Sequence, residues 1–248
     1  MIKQKSEEDL KKMRLACEIT RDVLNEIKKH IKAGVSTKQL DKIAHDYIIS
    51  RGATPTFKNY AGFPASICAS VNEVVVHGIP NEDIILKDGD IISIDVGAKI
   101  HGFTGDAART FPVGKIDADK KRLIKITEQS FFEGIKNIKA GCFVGDISAK
   151  IQTFVEKNGY SIVRELVGHG VGENLHEDPE VPNFGKLGAG AKLNENVTLA
   201  IEPMVNMGER FVVFMPDGWT VKARDGKPSA HYENTVLITK DGVEILTL

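Results

Sequence analysis

The chain repeats itself. Ile31-Lys32-Ala33-Gly34 recurs letter for letter as Ile138-Lys139-Ala140-Gly141, 107 residues later. At the same offset Leu40 matches Ile147, Ala44 matches Ile151, Tyr47 matches Phe154, Ile48 matches Val155 and Gly52 matches Gly159. Further along, Leu86-Lys87-Asp88-Gly89 through Ile94-Asp95 overlays Leu193-Asn194-Glu195-Asn196 through Ile201-Glu202. One tetrapeptide could be chance, but a register unbroken across two helices and a strand reads as an internal duplication. Two repeats are too few for a solenoid. The halves, about 6–112 and 117–240, are therefore expected to face each other about a pseudo-twofold axis, in one domain spanning 1–248.

Each half reads as helices first and strands after. Ser6 caps a helix with Leu10, Met13, Cys17, Leu24, Ile27 and Ile31 at helical spacing, ended by Gly34. A second, with Leu40, Ala44, Tyr47 and Ile48 on one face, stops at Gly52. Strand-like runs follow at 66–70, 74–76 and 91–94. The order then restarts. Asp117 caps a helix running to Gly141, Asp146 caps another ending at Gly159, and 161–166 is strand-like. Such segregation predicts an α+β fold with mostly antiparallel strands rather than a doubly wound sheet.

The run Ile91 to Ile94 leads into Asp95, and Gly97 and Gly102 let the chain turn and bring Asp106 back beside it. Two carboxylates ~4 Å apart repel by about 1 kcal/mol in water and about 4 at an effective dielectric near 20. Taken alone, the stretch is a surface hairpin with two solvated aspartates. The repeat changes that, because it maps Asp95 onto Glu202, and Glu233 opens a strand that can return beside Glu202. Four acids then converge, and two divalent cations are the simplest neutral solution.

The histidines divide. His169 in Gly168-His169-Gly170-Val171-Gly172 follows the 161–166 run. The glycines could cradle phosphate, but no Lys-Ser/Thr helix follows. Close approach to His169 by a ligand is the other reading. His176 lies nearby in sequence, and His77 ends an apolar run before a Gly-Ile-Pro turn. Each of the three alone is more often structural. His30, His45 and His101 take that structural reading, and His231 stays open.

A formal net charge of −1 gives no support to nucleic-acid or anionic-membrane binding. No apolar run is long enough to span a membrane, and the N-terminal residues lack a signal peptide's hydrophobic region. Cys17, Cys68 and Cys142 are three and widely spaced, which argues against disulfides or a thiolate zinc site. A cytoplasmic location is expected.

Segments 74–80, 94–106 with Arg109-Thr110-Phe111, 168–179, 200–206 and 232–235 resemble the signature blocks of type I methionine aminopeptidases, over essentially the whole chain. The resemblance implies the pita-bread fold and metal-dependent removal of the initiator methionine when the second residue is small. It implies five ligands, Asp95, Asp106, His169, Glu202 and Glu233, for two divalent ions (cobalt, manganese, iron or zinc). Asp106 and Glu233 would bridge the ions. Glu202 would also shuttle a proton, and His77 and His176 would touch the scissile amide. Tyr60, Phe63, Cys68 and Trp219 match the methionine pocket, with Phe57 and Leu175 as further walls. Some members carry cysteine at Phe57, histidine at Ala61 and phenylalanine at Leu175. Asn72, Val74 and Ser229 resemble a peripheral monovalent-cation site.

The partners implied are nascent polypeptide N-termini, with transient ribosome proximity, no specific nucleic acid and no membrane, for an enzyme acting as a monomer. An X-Pro aminopeptidase or prolidase shares the ligands but usually carries another N-terminal domain, for which a helix capped at Ser6 leaves no room. A metal-free binding protein of the same fold is disfavoured by the intact ligand set. A carboxylate-rich metal phosphatase would leave the apolar pocket unexplained.

Overall fold

The computed structural model describes residues 2–248. Met1, the first residue of the expected 1–248 domain, lies outside the described residues.

Ser6 caps α1 (Glu7–Lys28) reciprocally: its hydroxyl accepts the Asp9 N–H, and the Asp9 carboxylate accepts the Ser6 N–H at 3.0 Å. The helix stops at Lys28, short of Gly34, so Ile31 lies beyond it. Gly34, at φ 88, donates its N–H to the Leu86 carbonyl instead. α2 (Thr37–Ser50) is capped by Ser36.

The Ile91–Ile100 and Phe103–Pro112 strands then form a ten-residue hairpin. Its turn is His101-Gly102, at φ 50 and 85, the left-handed pair that a tight two-residue turn favours. Gly97 has no part in that turn. It lies mid-strand, where a Cβ would come within 3.0 Å of the Phe57 ring.

The second half repeats contacts as well as letters. Gly141 donates to Leu193 as Gly34 does to Leu86, and the isolated bridges Ser36↔Ile85 and Phe143↔Lys192 stand at the same offset. α3 (Ala118–Ile135) starts at the Asp117 cap but ends before Ile138 and Gly141. α4 (Val144–Lys157) begins before Asp146. Its N-cap is Phe143, the counterpart of Ser36, and Asp146 inside the first turn accepts the Phe143 N–H at 2.8 Å. The hydroxyl half of the capping box is lost and the carboxylate half kept.

The 161–166 run is strand only at Ser161–Ile162, which pairs with Val205 and Asn206, and a separate strand beyond it, Val167–Gly170, joins the five-stranded sheet. His169 thus sits within a strand. Its glycines serve strand approach, since a Cβ at Gly168 would fall 2.4 Å from the Ala200 carbonyl oxygen. Every strand pairing among the described residues is antiparallel.

Helices cover the sheets from outside. Ile19, Val23, Leu40 and Ile48 pack on Ile92 and Ile94, while Leu123, Phe131, Ile147 and Ile151 pack with Leu199 and Ile201. α1 lies so close to the hairpin that a Cβ at Gly105 would be 2.7 Å from the Cys17 backbone. Gly105→Ala should therefore lower the unfolding free energy by about 1–3 kcal/mol, the usual range for overpacking. An unchanged urea midpoint would contradict this packing.

Candidate metal centre

Alternation along the Ile91–Ile100 strand sends Ile92, Ile94, Val96 and Ala98 into the helical core. Asp95 therefore faces the other way. Asp106 stands opposite Gly97, diagonal to Asp95 on the same face. The hairpin is tied to the second half at three successive points. Asp106 and Thr235 exchange hydrogen bonds through the Thr235 hydroxyl, at 3.0 and 2.8 Å. Ala108 and Glu233 exchange backbone bonds at 3.3 and 2.9 Å. The Thr110 hydroxyl donates to the His231 carbonyl and accepts its N–H, at 2.8 and 2.9 Å. This seam sets Asp106 beside Glu233.

His169 pairs across the sheet with Ala200, two residues before Glu202. Its Nε2 is 3.6 Å from Glu202 Oε1 and 3.8 Å from Asp106 Oδ2. The Gly170 carbonyl lies 2.9 Å from His169 Nδ1. With the proton on Nδ1, donating there, the Nε2 lone pair faces the acids. Ligand atoms of Asp106, His169 and Glu233 all lie within 4.8 Å of one another.

Burial holds Asp106 up at about 7, and burial followed by mutual repulsion holds Asp95, Glu202 and Glu233 well above the usual carboxylate range. Asp95 and Glu202 keep slight exposure through the cavity, yet their charge is still desolvated. Burial and the neighbouring His176 push His169 down to about 3, so its contacts with the acids are not ion pairs. Asp95 Oδ1, Asp106 Oδ1 and Glu233 Oε1 are buried with no hydrogen-bond partner. Orphaned carboxylate oxygens around a neutral imidazole lone pair are a donor set that fits divalent cations.

These groups line one cavity of about 640 Å³. His77 and His176 line it too, and its apolar part is Phe57, Tyr60, Phe63, Cys68, Leu175 and Trp219. All the side chains expected from the sequence to form the site, both ligands and pocket walls, are thus in one place. Tyr60 Oη is 2.7 Å from His176 Nδ1, and Phe63 meets Trp219 edge-on at 5.1 Å.

Asn72 and Ser229 also meet, the Asn72 carbonyl accepting the Ser229 N–H at 2.9 Å. The Asn72 side chain itself is taken up by Asp90 and the Ile91 N–H. The residue left open in the sequence, His231, is buried with Nε2 unpartnered, 3.7 Å from Glu202 Oε2 and 4.0 Å from Glu233 Oε2. Its spacing of two from Glu233 in an extended segment was the available signal.

The signature of metallopeptidase family M24 matches residues 11–240. The chain belongs to metallopeptidase family M24. This M24 chain is 54% identical to a methionine aminopeptidase of Clostridium perfringens, over 100% of its own length and 99% of that protein. The crystal structure of methionine aminopeptidase from Rickettsia prowazekii matches with a TM-score of 0.98 at 43% identity, covering 100% of both chains. Prolidase from Pyrococcus furiosus matches at TM-score 0.79 and 22% identity, over 99% of this chain and 65% of that one, which speaks to fold alone. The α+β architecture is the pita-bread fold, and divalent metal use goes with M24 membership.

Without metal, the raised carboxylates hold protons that the unfolded chain releases, a contribution to stability that is lost as pH rises through their folded values. His77, lowered by burial to about 4, and His169 and His231, lowered to about 3, act oppositely below their ordinary 6.5. Above about pH 6.5 only the carboxylates remain. Metal-stripped protein should therefore lose stability between about pH 6.5 and 8, and divalent metal should restore it. Urea midpoints with and without chelator measure this, and a pH-independent midpoint in stripped protein would contradict the buried acid cluster.

Proposed function

We propose that the chain is one catalytic domain of two duplicated halves that removes an N-terminal methionine from polypeptides. The observation that carries the reading is an apolar pocket opening directly onto the carboxylate–imidazole cluster. Asp95, Asp106, His169, Glu202 and Glu233 would hold two divalent ions, with Asp106 and Glu233 shared between them. When bound, such ions supply Lewis acidity and acidify a water.

The chain's own groups do the rest. Glu202, lining the cavity with Oε1 3.6 Å from His169 Nε2, takes a proton from the attacking water and passes it to the departing amine. If the Tyr60 hydroxyl donates to His176 Nδ1, the proton of that ring sits on Nε2, a donor suited to the developing oxyanion. His77, kept neutral by burial, serves the scissile nitrogen. Phe57, Phe63, Cys68, Leu175 and Trp219 give the polarizable apolar lining that suits a thioether.

The substrates in this reading are nascent polypeptide N-termini met near the ribosome in the cytoplasm, and the enzyme acts as a monomer. Cobalt, manganese, iron or zinc suits the ligand set. A peripheral monovalent cation at Asn72, Val74 and Ser229 is supported by Asn206 Oδ1, buried without a partner on the residue paired with Ser229.

Methionine release should be seen from Met-Ala peptides, not Met-Lys or Xaa-Pro peptides, and should vanish with chelator and return with manganese, iron or cobalt. Glu202→Gln should lower kcat by about 10²–10⁴-fold, the range for lost acid–base catalysis, with the fold intact. Near-normal turnover in that variant, or indiscriminate cleavage, would overturn the assignment.

A further inference from the structure

The side chain of Lys5 is buried, which is rare for a lysine, and its partner lies 172 residues away. Lys5 Nζ is 2.7 Å from Glu177 Oε2, with the two side chains only 5% and 7% exposed. The Lys5 N–H is itself fixed to the Asn196 carbonyl at 2.8 Å. Glu177 directly follows His176. Its second oxygen accepts the Asn174 N–H at 3.1 Å, and the Asn174 carbonyl accepts the Gly172 N–H at 3.0 Å. One carboxylate therefore closes the loop that bears Leu175 and His176, and one ammonium neutralises it. The fit is tight, since a Cβ on Gly172 would fall 2.5 Å from Lys5 Nζ and 2.9 Å from Glu177 Oε1. The neighbouring Lys3–Glu173 pair is more than half exposed and binds the loop weakly.

A buried ion pair is a poor source of net stability but a firm constraint on geometry, because either charge left alone must move towards water. We propose that Lys5 is a positioning residue for His176, acting through Glu177 to hold the imidazole against Tyr60 and over the metal centre. This rests on the role given to His176 above. The alternative is that the pair merely fastens the segment before α1.

In the metal-loaded full chain, Lys5→Met should lower kcat for a Met-Ala peptide by up to about 10²-fold, the loss that a displacement of about 1 Å can bring. KM should change less than kcat, because Phe57, Phe63, Cys68 and Trp219 lie on other elements and only Leu175 of the pocket wall shares the loop. The same substitution in a His176→Ala background should cost nothing further, since both changes remove one contribution. Glu177→Gln, which keeps the side-chain shape, should show a smaller loss with the same non-additivity, and stands in if Lys5→Met does not fold. In metal-stripped protein, the NMR signals of the His176 ring should shift in either variant while those of His45 stay. Equal losses with and without His176, or unmoved His176 signals, would overturn the proposal. If His176→Ala alone turned over normally, the catalytic reading would fail, and the ring signals would still decide whether Lys5 holds that ring.

Discussion

Four carboxylates held out of water around one point are the constraint on which the rest of the architecture turns. Left ionised and alone they would drive the halves apart, and burial already shifts each of them towards its neutral form. What holds them is a seam of backbone and threonine-hydroxyl bonds. The hairpin edge is bonded to the 231–235 segment at Asp106, Ala108 and Thr110, so the acids of one half cannot recede from those of the other without breaking that seam. Behind it Arg109 donates to the Glu233 carbonyl and, at 2.6 Å, to Asn234 Oδ1, while lying 4.3 Å over the Tyr232 ring. A guanidinium so placed stiffens the ligand-bearing backbone without neutralising the carboxylates, whose orphaned oxygens remain turned into the cavity. The centre is thus preorganised for cations rather than for its own protons.

Much of this could be read from the sequence, for a physical reason. A repeat register carries burial, turn and charge at once, so Asp95 predicts an acid at Glu202 even though one lies mid-strand and the other just past a strand end. Helix starts with a hydroxyl or carboxylate cap were legible at Ser6 and Asp117. Helix ends were not. α1 and α3 both stop several residues before their glycines, because those glycines serve a later turn bonded to Leu86 and Leu193. The start of α4 was misplaced because a lone Asp146 looks like a cap, and only the geometry shows Phe143 in that position.

At the site, the residue types and spacings pointed to the ligands, but the meaning of the glycines around His169 lay in tertiary structure. They permit strands to touch, which no local pattern distinguishes from a loop that admits a ligand. His231 stays undecided from sequence because its nearness to Glu233 is only local; its significance comes from Glu202, brought in by another strand.

The two sides of the cavity follow different rules. On the acid side, position is fixed by main-chain bonds between strands, which leave little freedom for a side chain to wander. On the histidine side, His176 sits on a loop after Gly172, in edge contact with His169 at 4.2 Å and hydrogen-bonded to Tyr60 from yet another segment. A loop residue needs its orientation supplied by contacts, and here they come from a phenol on one side and a buried ion pair on the other. The division suits the chemistry. Cations demand ligands within fractions of an ångström, which strand backbone supplies. A donor to a developing oxyanion must also be held in place, which on a loop falls to side-chain contacts.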